Sequence, residues 1–324
     1  MIVPIVERLK REERQILIFT HENPDGDGIG SMLGLYLFLK KKGKDVVAGM
    51  KDSVPYIYNF LPKCEEIQKL PIDRKFEIAI LVDAASKSRA GVDINAKEVI
   101  RIDHHIGGSF ESPYDYIEVG CPSTTYLVGE ILRHWDEEEI DQEIATCLYT
   151  GLITDTGSFR YNNTNNRTFE MAEFLVSKGA DPFHISKMIF ERNKLSTLLL
   201  LQKSLSTLEL HCGGRITLMT VFRDFLREVG AVEEETEGFV NFARSIEGVE
   251  VAILMIQKED HYTWRVSLRG KGEINVQQIA SSLGGGGHKD AAGCRLRGEY
   301  SEVKNRLIET SKKFLKQKKE ALVV

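Results

Sequence analysis

The chain has 324 residues, enough for two domains, and its 42% hydrophobic and 28% charged content is that of a soluble globular protein. No apolar run approaches the roughly 20 residues of a membrane-spanning helix, and the N-terminus has no apolar signal-peptide core, so we expect a cytoplasmic protein without a membrane partner. The net charge of −5 argues against a protein that grips long nucleic acid by its phosphates and favours a small substrate if the substrate is a nucleotide.

The first half of the sequence alternates short apolar strands with helices. Ile16 to Thr20 is typical of a buried parallel strand, and a helix follows from about Ser31 to the lysines before Gly43. The same alternation predicts strands at Val46 to Gly49, Ile78 to Val82 and Val99 to Ile102, then helices at Ser123 to Trp135 and Glu143 to Ile153. This βαβ pattern predicts a mostly parallel sheet with helices on both faces.

The pattern changes after about residue 181. A helical stretch from Asp181 to about Glu209 is predicted to connect two domains, so we divide the chain into residues 1–185, a connector helix at 186–209 and residues 210–324. The second half predicts strands at Ile216 to Val221, Val249 to Gln257 and Thr263 to Leu268, and helices at Thr236 to Ile246, Ile274 to Leu283 and Ser301 to Lys319. The expected fold is therefore α/β, with a smaller α/β domain at the C-terminus.

Four segments place aspartate or histidine where a predicted element ends. The loop from His21 to Gly30 follows the first strand, Asp83 ends the third, Asp103-His104-His105 ends the fourth, and Asp155 ends an apolar helix. Each segment alone has an ordinary explanation as a turn, a strand end or a helix cap. Because ligands bind at the carboxyl ends of parallel strands, we expect these side chains to converge.

The converging residues suit a pair of metal ions. Crowded carboxylates raise one another's pKa values unless cations compensate. The five cysteines are scattered and form no C-x-x-C pair, so a thiolate zinc site is not expected. An oxygen and nitrogen ligand set favours two Mn²⁺ ions, with Mg²⁺, Co²⁺ or Fe²⁺ as alternatives, and paired metals commonly hydrolyse phosphate esters. The candidate ligands are His21, Asp25, Asp27, Asp83, His104 and Asp155.

These segments resemble the four motifs of the DHH phosphoesterases, and Gly284 to Gly293 resembles the GGGGH-x-x-AAG signature of the type 1 DHH-associated domain. The resemblance covers nearly the whole chain, and its length is similar to that of the nanoRNase and pAp-phosphatase branch (pAp is 3′-phosphoadenosine 5′-phosphate). RecJ exonucleases are longer, family II pyrophosphatases have a different second domain, and membrane-tethered cyclic-dinucleotide phosphodiesterases add spanning helices. Gly28 departs from the motif, where alanine is more usual, and should loosen the loop slightly without displacing a ligand.

The resemblance implies a role for each candidate residue. One metal would be held by His21 and Asp25, the other by Asp27, His104 and Asp155, with Asp83 bridging both. Asp103 would orient a histidine, and His105 would contact the scissile phosphate and protonate the leaving oxygen. The nucleophile would be a water or hydroxide between the two metals.

The second domain is expected to bind the substrate phosphate across a cleft between the domains. Glycine N–H groups can form an anion nest, and the planar fork of arginine matches phosphate oxygens. The substrate-binding candidates are Arg89, Ser267, Arg269, Gly285, Gly286, Gly287 and His288.

The leading hypothesis is a phosphohydrolase that degrades short oligonucleotides to mononucleotides and dephosphorylates pAp. The alternatives are a phosphodiesterase for linear or cyclic dinucleotides such as cyclic-di-AMP, a RecJ-like single-strand exonuclease, and a nucleotide-binding sensor. The sensor is disfavoured because every expected ligand is present. Long nucleic acid is not expected as a stable partner, and the sequence leaves a homodimer open.

Overall fold

The sheet of the first unit consists of six parallel strands. It is seen in a computed structural model that describes residues 2–105, 111–287 and 289–321, and the chain divides into two units between Arg192 and Asn193. The strands are β1 (Ile16–Phe19), β2 (Val46–Met50), β3 (Gln68–Lys69), β4 (Phe76–Val82), β5 (Ala96–Asp103) and β6 (Tyr116–Ile117). Their order is β3-β2-β1-β4-β5-β6, so the chain turns back between β1 and β4. The carboxyl ends of these two strands form the switch point at which such sheets bind ligands.

Long helices share one hydrophobic core with one face of this sheet. Ile16 and Ile18 of β1 and Ile78 and Ile80 of β4 point into it, together with apolar residues of every helix. The helices are α1 (Ile2–Arg11), α2 (Gly26–Lys41), α3 (Thr124–Asp136), α4 (Gln142–Asp155), α5 (Asn166–Ser177) and α6 (Pro182–Phe190). Helix α2 is buried on all sides, as its nearly continuous apolar sequence requires.

The opposite face of the sheet carries a smaller core. Leu17, Phe19, Ala79 and Leu81 pack there with loop residues. The one helical element that contributes to this core in the described chain is the single turn Lys87–Ala90. The α/β class is confirmed, and on this side of the sheet the helical contribution within the described residues is the single turn Lys87–Ala90.

The second unit has a mixed sheet with helices on both faces. Its strands are β7 (Glu209–His211), β8 (Ile216–Val221), β9 (Val251–Gln257), β10 (Thr263–Gly270), β11 (Gly286–Gly287) and β12 (Ala291–Arg297), in the order β11-β12-β10-β9-β8-β7. β8 and β9 are parallel, and the other pairs are antiparallel. One core is shared with α7 (Leu195–Leu205), α8 (Arg223–Val229) and α9 (Phe239–Ser245), the other with α10 (Val276–Ser282) and α11 (Tyr300–Ala321).

The segment predicted as one connector helix contains two helices. Asp181 caps α6 through the N–H of His184, and Pro182 occupies its first turn. The polar residues 191–194 separate α6 from α7, and Leu200 of α7 packs into a core of the second unit. No helix in the described ranges has the length and apolarity needed to cross a membrane.

Candidate active site

The predicted metal ligands meet at the carboxyl ends of β1, β4 and β5. His21 lies two residues beyond β1, Asp83 follows β4 directly, and Asp103 is the last residue of β5. Helix α2 begins beside them and brings Asp25 and Asp27, whereas α4 ends there with Asp155. The strand order therefore brings together side chains that are far apart in sequence.

Three of these residues form the first group. His21 Nε2 lies 3.9 Å from Asp25 Oδ1 and 3.6 Å from Asp83 Oδ2. One ligand atom from each residue lies within 4.8 Å of the other two, close enough for a single ion.

Asp27, His104 and Asp155 form the second group. His104 Nε2 lies 3.9 Å from Asp27 Oδ2 and 3.7 Å from Asp155 Oδ2. The same nitrogen is 3.7 Å from Asp83 Oδ1. Asp83 thus presents one carboxylate oxygen to each group, which is the arrangement expected of a bridging ligand.

The backbone of Asp83 has left-handed geometry, with φ of 59°. This region is strained for a residue with a side chain, and such strain is characteristic of functional sites. The turn places the carboxylate between the two groups immediately after β4 ends.

Asp25 has a structural role as well as a place in the first group. Its Oδ1 accepts hydrogen bonds of 3.1 Å from the N–H groups of Asp27 and Gly28, so it caps α2. Its side chain remains 56% exposed, whereas that of Asp27 is buried. One carboxylate therefore faces solvent and the other faces the interior.

The start of α3 holds Asp27 and Asp83 in place. Asp27 Oδ2 accepts from Thr124 N at 2.6 Å, and its Oδ1 accepts from Thr125 N and Oγ1, both at 2.8 Å. The Thr124 hydroxyl donates to Asp83 Oδ1 at 2.9 Å. Sequence reasoning missed both threonines; the available signal was a Ser-Thr-Thr run where α3 was predicted to begin.

The two histidines of the groups are oriented by backbone carbonyls. His21 Nδ1 donates to the carbonyl of Glu22 at 2.8 Å, and His104 Nδ1 donates to that of Cys121 at 3.3 Å. A carbonyl can only accept, so each Nδ1 carries the hydrogen and each Nε2 faces the carboxylates. This arrangement is common among histidines that bind metal ions.

His105 is oriented by Asp103. Asp103 Oδ1 accepts from His105 Nδ1 at 2.7 Å and from its backbone N–H at 3.2 Å. The Asp103 side chain is fully buried, and its carboxylate fixes the ring of His105 beside Asp83, whose Oδ1 lies 3.6 Å from Nδ1. The histidine that Asp103 contacts is thus His105.

Asn163 supports Asp155 and was also missed from the sequence. Its Nδ2 lies 3.2 Å from Asp155 Oδ2, 3.1 Å from the carbonyl of Asp155 and 2.8 Å from that of Pro122. Between Asp155 and Asn163, three consecutive residues, 157–159, have left-handed backbone geometry with φ of 56° to 61°. This tight turn returns the chain so that Asn163 reaches the end of α4.

Comparison with known proteins identifies the family. Residues 15–152 match the N-terminal domain of the DHH family, and residues 219–317 match the DHHA1 domain. The chain is 35% identical to the bifunctional oligoribonuclease and PAP phosphatase NrnA of Thermus thermophilus over 96% of this chain and 93% of that protein. The chain belongs to the DHH family. As a DHH phosphoesterase it is a hydrolase, and such enzymes depend on metal ions.

This DHH protein is also similar to a second curated protein and to a solved structure. It is 27% identical to the cyclic-di-AMP phosphodiesterase PdeA of Listeria monocytogenes over 95% of this chain but only 49% of that protein. An exopolyphosphatase-related protein from Bacteroides fragilis shares its fold, with a TM-score of 0.88 and 26% identity over 97% of this chain and 96% of the other.

In the absence of metal ions, the positive charges of the histidines compensate the negative charges of the aspartates in the DHH site. Burial opposes the charge of His21 and His104, but the surrounding aspartates outweigh burial and raise both pKa values well above the ordinary one. Burial also opposes ionisation of Asp83, yet the three histidines hold its pKa well below the usual range. Divalent cations would supply the same compensation with the imidazoles neutral, so the residues fit the metal dependence of the family.

The two carboxylates of the second group, Asp27 and Asp155, are harder to ionise. Burial raises the pKa of Asp155 to about 6, with a further contribution from Asp83 that His104 opposes. Burial followed by repulsion from Asp83 and Asp155 raises the pKa of Asp27 as well. A positive charge nearby would therefore stabilise the ionised form of both carboxyl groups.

Arg89 belongs to the single-turn helix beside this site. The backbone N–H of Glu22 donates to the carbonyl of Arg89 at 2.7 Å, so the loop that carries Arg89 touches the loop that carries His21. The Arg89 side chain is exposed.

In the second unit, Ser267 and Arg269 lie on one face of β10 and are partly exposed, and Arg269 Nη1 donates to the carbonyl of Leu268 at 3.2 Å. Gly286 and Gly287 form β11 and pair with β12. A Cβ on Gly285 would lie 2.1 Å from the carbonyl oxygen of Gly293, so close strand pairing already requires glycine there. His288 lies outside the described residues.

Proposed function

We propose that the chain is a two-metal phosphohydrolase that degrades short oligonucleotides to mononucleotides and dephosphorylates pAp. The position of Asp83 carries this proposal. Its two carboxylate oxygens face two separate groups of ligands at the switch point of a parallel sheet. A carboxylate shared between two ions is suited to a pair of metals acting on one phosphate.

The proposed ligand assignment follows the two groups. His21 and Asp25 hold one ion, Asp27, His104 and Asp155 hold the other, and Asp83 contacts both. We propose Mn²⁺ for both positions, with Mg²⁺ or Co²⁺ as substitutes, because the ligands offer oxygen and nitrogen but no sulfur. Bound ions would polarise the phosphate and acidify the attacking water.

The chain's own residues supply the remaining chemistry. His105, fixed by Asp103, contacts the scissile phosphate and gives a proton to the leaving oxygen. In the second unit, Ser267, Arg269, the backbone of Gly285–Gly287 and His288 are proposed to bind the substrate phosphate, and Arg89 is proposed to do so from the first unit. The exposure of Arg89 and the partial exposure of Ser267 and Arg269 leave these groups accessible.

The relatives support a small substrate. The Thermus protein, named an oligoribonuclease and PAP phosphatase, matches over nearly its whole length, whereas the cyclic-di-AMP phosphodiesterase matches over half of its own. The net charge of −5 agrees, because stable binding of a long strand relies on neutralising many phosphates. Cleavage of cyclic-di-AMP remains the alternative that the second relative favours.

A substrate panel tests the proposal. The chain, loaded with Mn²⁺, is assayed on pAp, a dinucleotide, a five-mer, a long single strand, cyclic-di-AMP and pyrophosphate. We expect rapid release of mononucleotide from the short strands and of phosphate from pAp, and none of either from an Asp83→Asn variant. Preference for cyclic-di-AMP or pyrophosphate would overturn the substrate assignment, and activity in the variant would overturn the site. The exposed Asp73→Asn is the matched control.

A further inference from the structure

Arg101 is a buried arginine on the face of the first sheet that carries the smaller core. It lies on β5 between Ile100 and Ile102, which point into the core shared with the long helices, so the alternation along a strand turns Arg101 to the opposite face. The residue is 6% exposed, and its Nε and Nη2 are buried without a hydrogen-bond partner among the described residues. A charged side chain buried with unmet donors is costly, so its presence on a central strand calls for an explanation.

The third guanidinium nitrogen of Arg101 contacts the loop that follows Asp83. Arg101 Nη1 donates to the carbonyl of Ala85, which lies between Asp83 and the single turn that carries Arg89. The backbone of Arg101 pairs with that of Leu81 in the sheet. The side chain therefore extends from the level of Leu81 towards the carboxyl end of β4, where this loop begins.

The turn that carries Arg89 is held at both of its ends. Arg101 holds its beginning through Ala85, and the backbone N–H of Glu22 donates to the carbonyl of Arg89 at 2.7 Å. Within the turn, Arg89 N donates to the carbonyl of Ser86 at 3.1 Å, but Ser86 makes no side-chain capping bond. A single helical turn is not stable by itself, so its position depends on these two outer contacts.

We propose that Arg101 is a positioning residue, which acts through Ala85 to hold Arg89 where it binds the substrate phosphate. This inference rests on the proposed function, in which Arg89 has that role. A charged donor forms a stronger hydrogen bond to a carbonyl than a neutral donor does, and burial shields this bond from water. The competing explanation is that Arg101 only balances the charge of Glu111 and Asp115, which line the same small cavity. Such a structural role would affect stability without affecting substrate binding.

A double-mutant cycle on the Mn²⁺-loaded chain separates the two explanations. Glutamine at position 101 stops two atoms short of Nη1, so Arg101→Gln should raise KM for a dinucleotide roughly 10-fold and leave kcat close to that of the wild type. Arg89→Ala should raise KM as well, and Arg101→Gln should add little in the Arg89→Ala background, because both changes remove the same contact with substrate. An unchanged KM in Arg101→Gln, or the same factor in both backgrounds, would overturn the proposal.

Arg8→Gln is the matched control. Arg8 is also a partly buried arginine of the first unit, but it bonds to Glu12 and Glu98 and lies on α1. Its replacement should leave KM unchanged in both backgrounds. A KM raised as much by Arg8→Gln as by Arg101→Gln would show a general loss of stability and would also overturn the proposal.

Amide hydrogen exchange measures the position of the turn without relying on catalysis. The amides of Arg89 and Gly91 are bonded within the turn, to the carbonyls of Ser86 and Ser88. Their exchange should be roughly 10-fold faster in Arg101→Gln and unchanged in Arg8→Gln, and equal protection in Arg101→Gln would contradict the proposal.

Two outcomes of these experiments need a further measurement. If Arg101→Gln does not fold, Arg101→Lys replaces it, because lysine keeps the charge but stops one atom short of Nη1. It should show both effects to a smaller extent, and wild-type values in it would overturn the proposal. If the wild type cleaves none of the phosphate substrates, the proposed function fails, whereas the exchange of the two amides still decides whether Arg101 holds the turn.

Discussion

Replacement of Asp83 by asparagine tests the centre of the site. The side chain keeps its size, and an amide oxygen can still accept from Thr124, but the negative charge is lost. In the metal-free protein this charge lies 3.6 Å from His21, 3.7 Å from His104 and 3.6 Å from His105. Removal of one partner from a buried charge pair costs about 3–5 kcal/mol.

The loss of stability should depend on pH. The pKa of Asp83 is lowered in the fold, so its contribution is present above the ordinary carboxyl pKa and lost only in acid. The pKa values of His21 and His104 are raised, so their contribution is complete below about 6.5 and disappears as the pH rises through the raised values. The attraction between these groups is therefore fully present at pH 6 and fades at high pH.

Urea denaturation in excess chelator measures this difference. At pH 6, we expect the free energy of unfolding of Asp83→Asn to be about 3 kcal/mol below that of the wild type, and the deficit to shrink at pH 9. The exposed Asp73→Asn should show no deficit at either pH. An equal deficit at both pH values would refute the charge-balance reasoning, and retention of two Mn²⁺ ions per chain in Asp83→Asn would refute the bridge.

Four further outcomes are expected. Excess chelator should abolish hydrolysis and Mn²⁺ should restore it better than Zn²⁺ or Ca²⁺; undiminished turnover in chelator would contradict the metal proposal. His104→Ala should lose bound metal, whereas His105→Ala should keep it and lose about 10²–10⁴-fold in kcat; equal metal loss in both would exclude this division. Mn²⁺ affinity, compared by titration at pH 5.5 and 8, should be weaker at the lower pH, because burial raises the pKa of Asp155 to about 6 and protons compete with the ion; a pH-independent affinity would contradict this. In a kinetic series of strand lengths, kcat/KM should fall beyond a few nucleotides, and Arg269→Ala and His288→Ala should each cost about 1.5–3 kcal/mol on short substrates; processive degradation of long strands would favour a RecJ-like exonuclease.

The convergence of the metal ligands could be predicted from the sequence because each ligand lies next to the apolar run that indicates its position in the fold. An apolar run that ends in aspartate or histidine identifies both a buried strand and the edge at which it ends. The supporting residues could not be found in this way. Thr124 reaches Asp27 across 97 positions of sequence, and Asn163 reaches Pro122 across 41, and neither looks different from an ordinary cap or loop residue.

Errors in the predicted elements also have local causes. Helix α1 was missed because its charged residues obscure the helical spacing of Ile5, Val6 and Leu9, which point into the core. The glycine run was interpreted as an anion nest alone, but pairing of β11 with β12 accounts for part of it. Periodicity does not distinguish glycine kept for a ligand from glycine kept for a neighbouring strand.

The contacts between α3 and Asp27 have a consequence for how the protein acquires metal. Three hydrogen bonds from Thr124 and Thr125 fix that carboxylate without help from an ion. We therefore expect ions to bind ligands that are already held in place, so that removing the ions leaves the chain folded, unlike small domains that depend on metal to fold. A chain of this kind could be emptied and reloaded without unfolding, so its activity would follow the supply of free ions and would not wait for new synthesis.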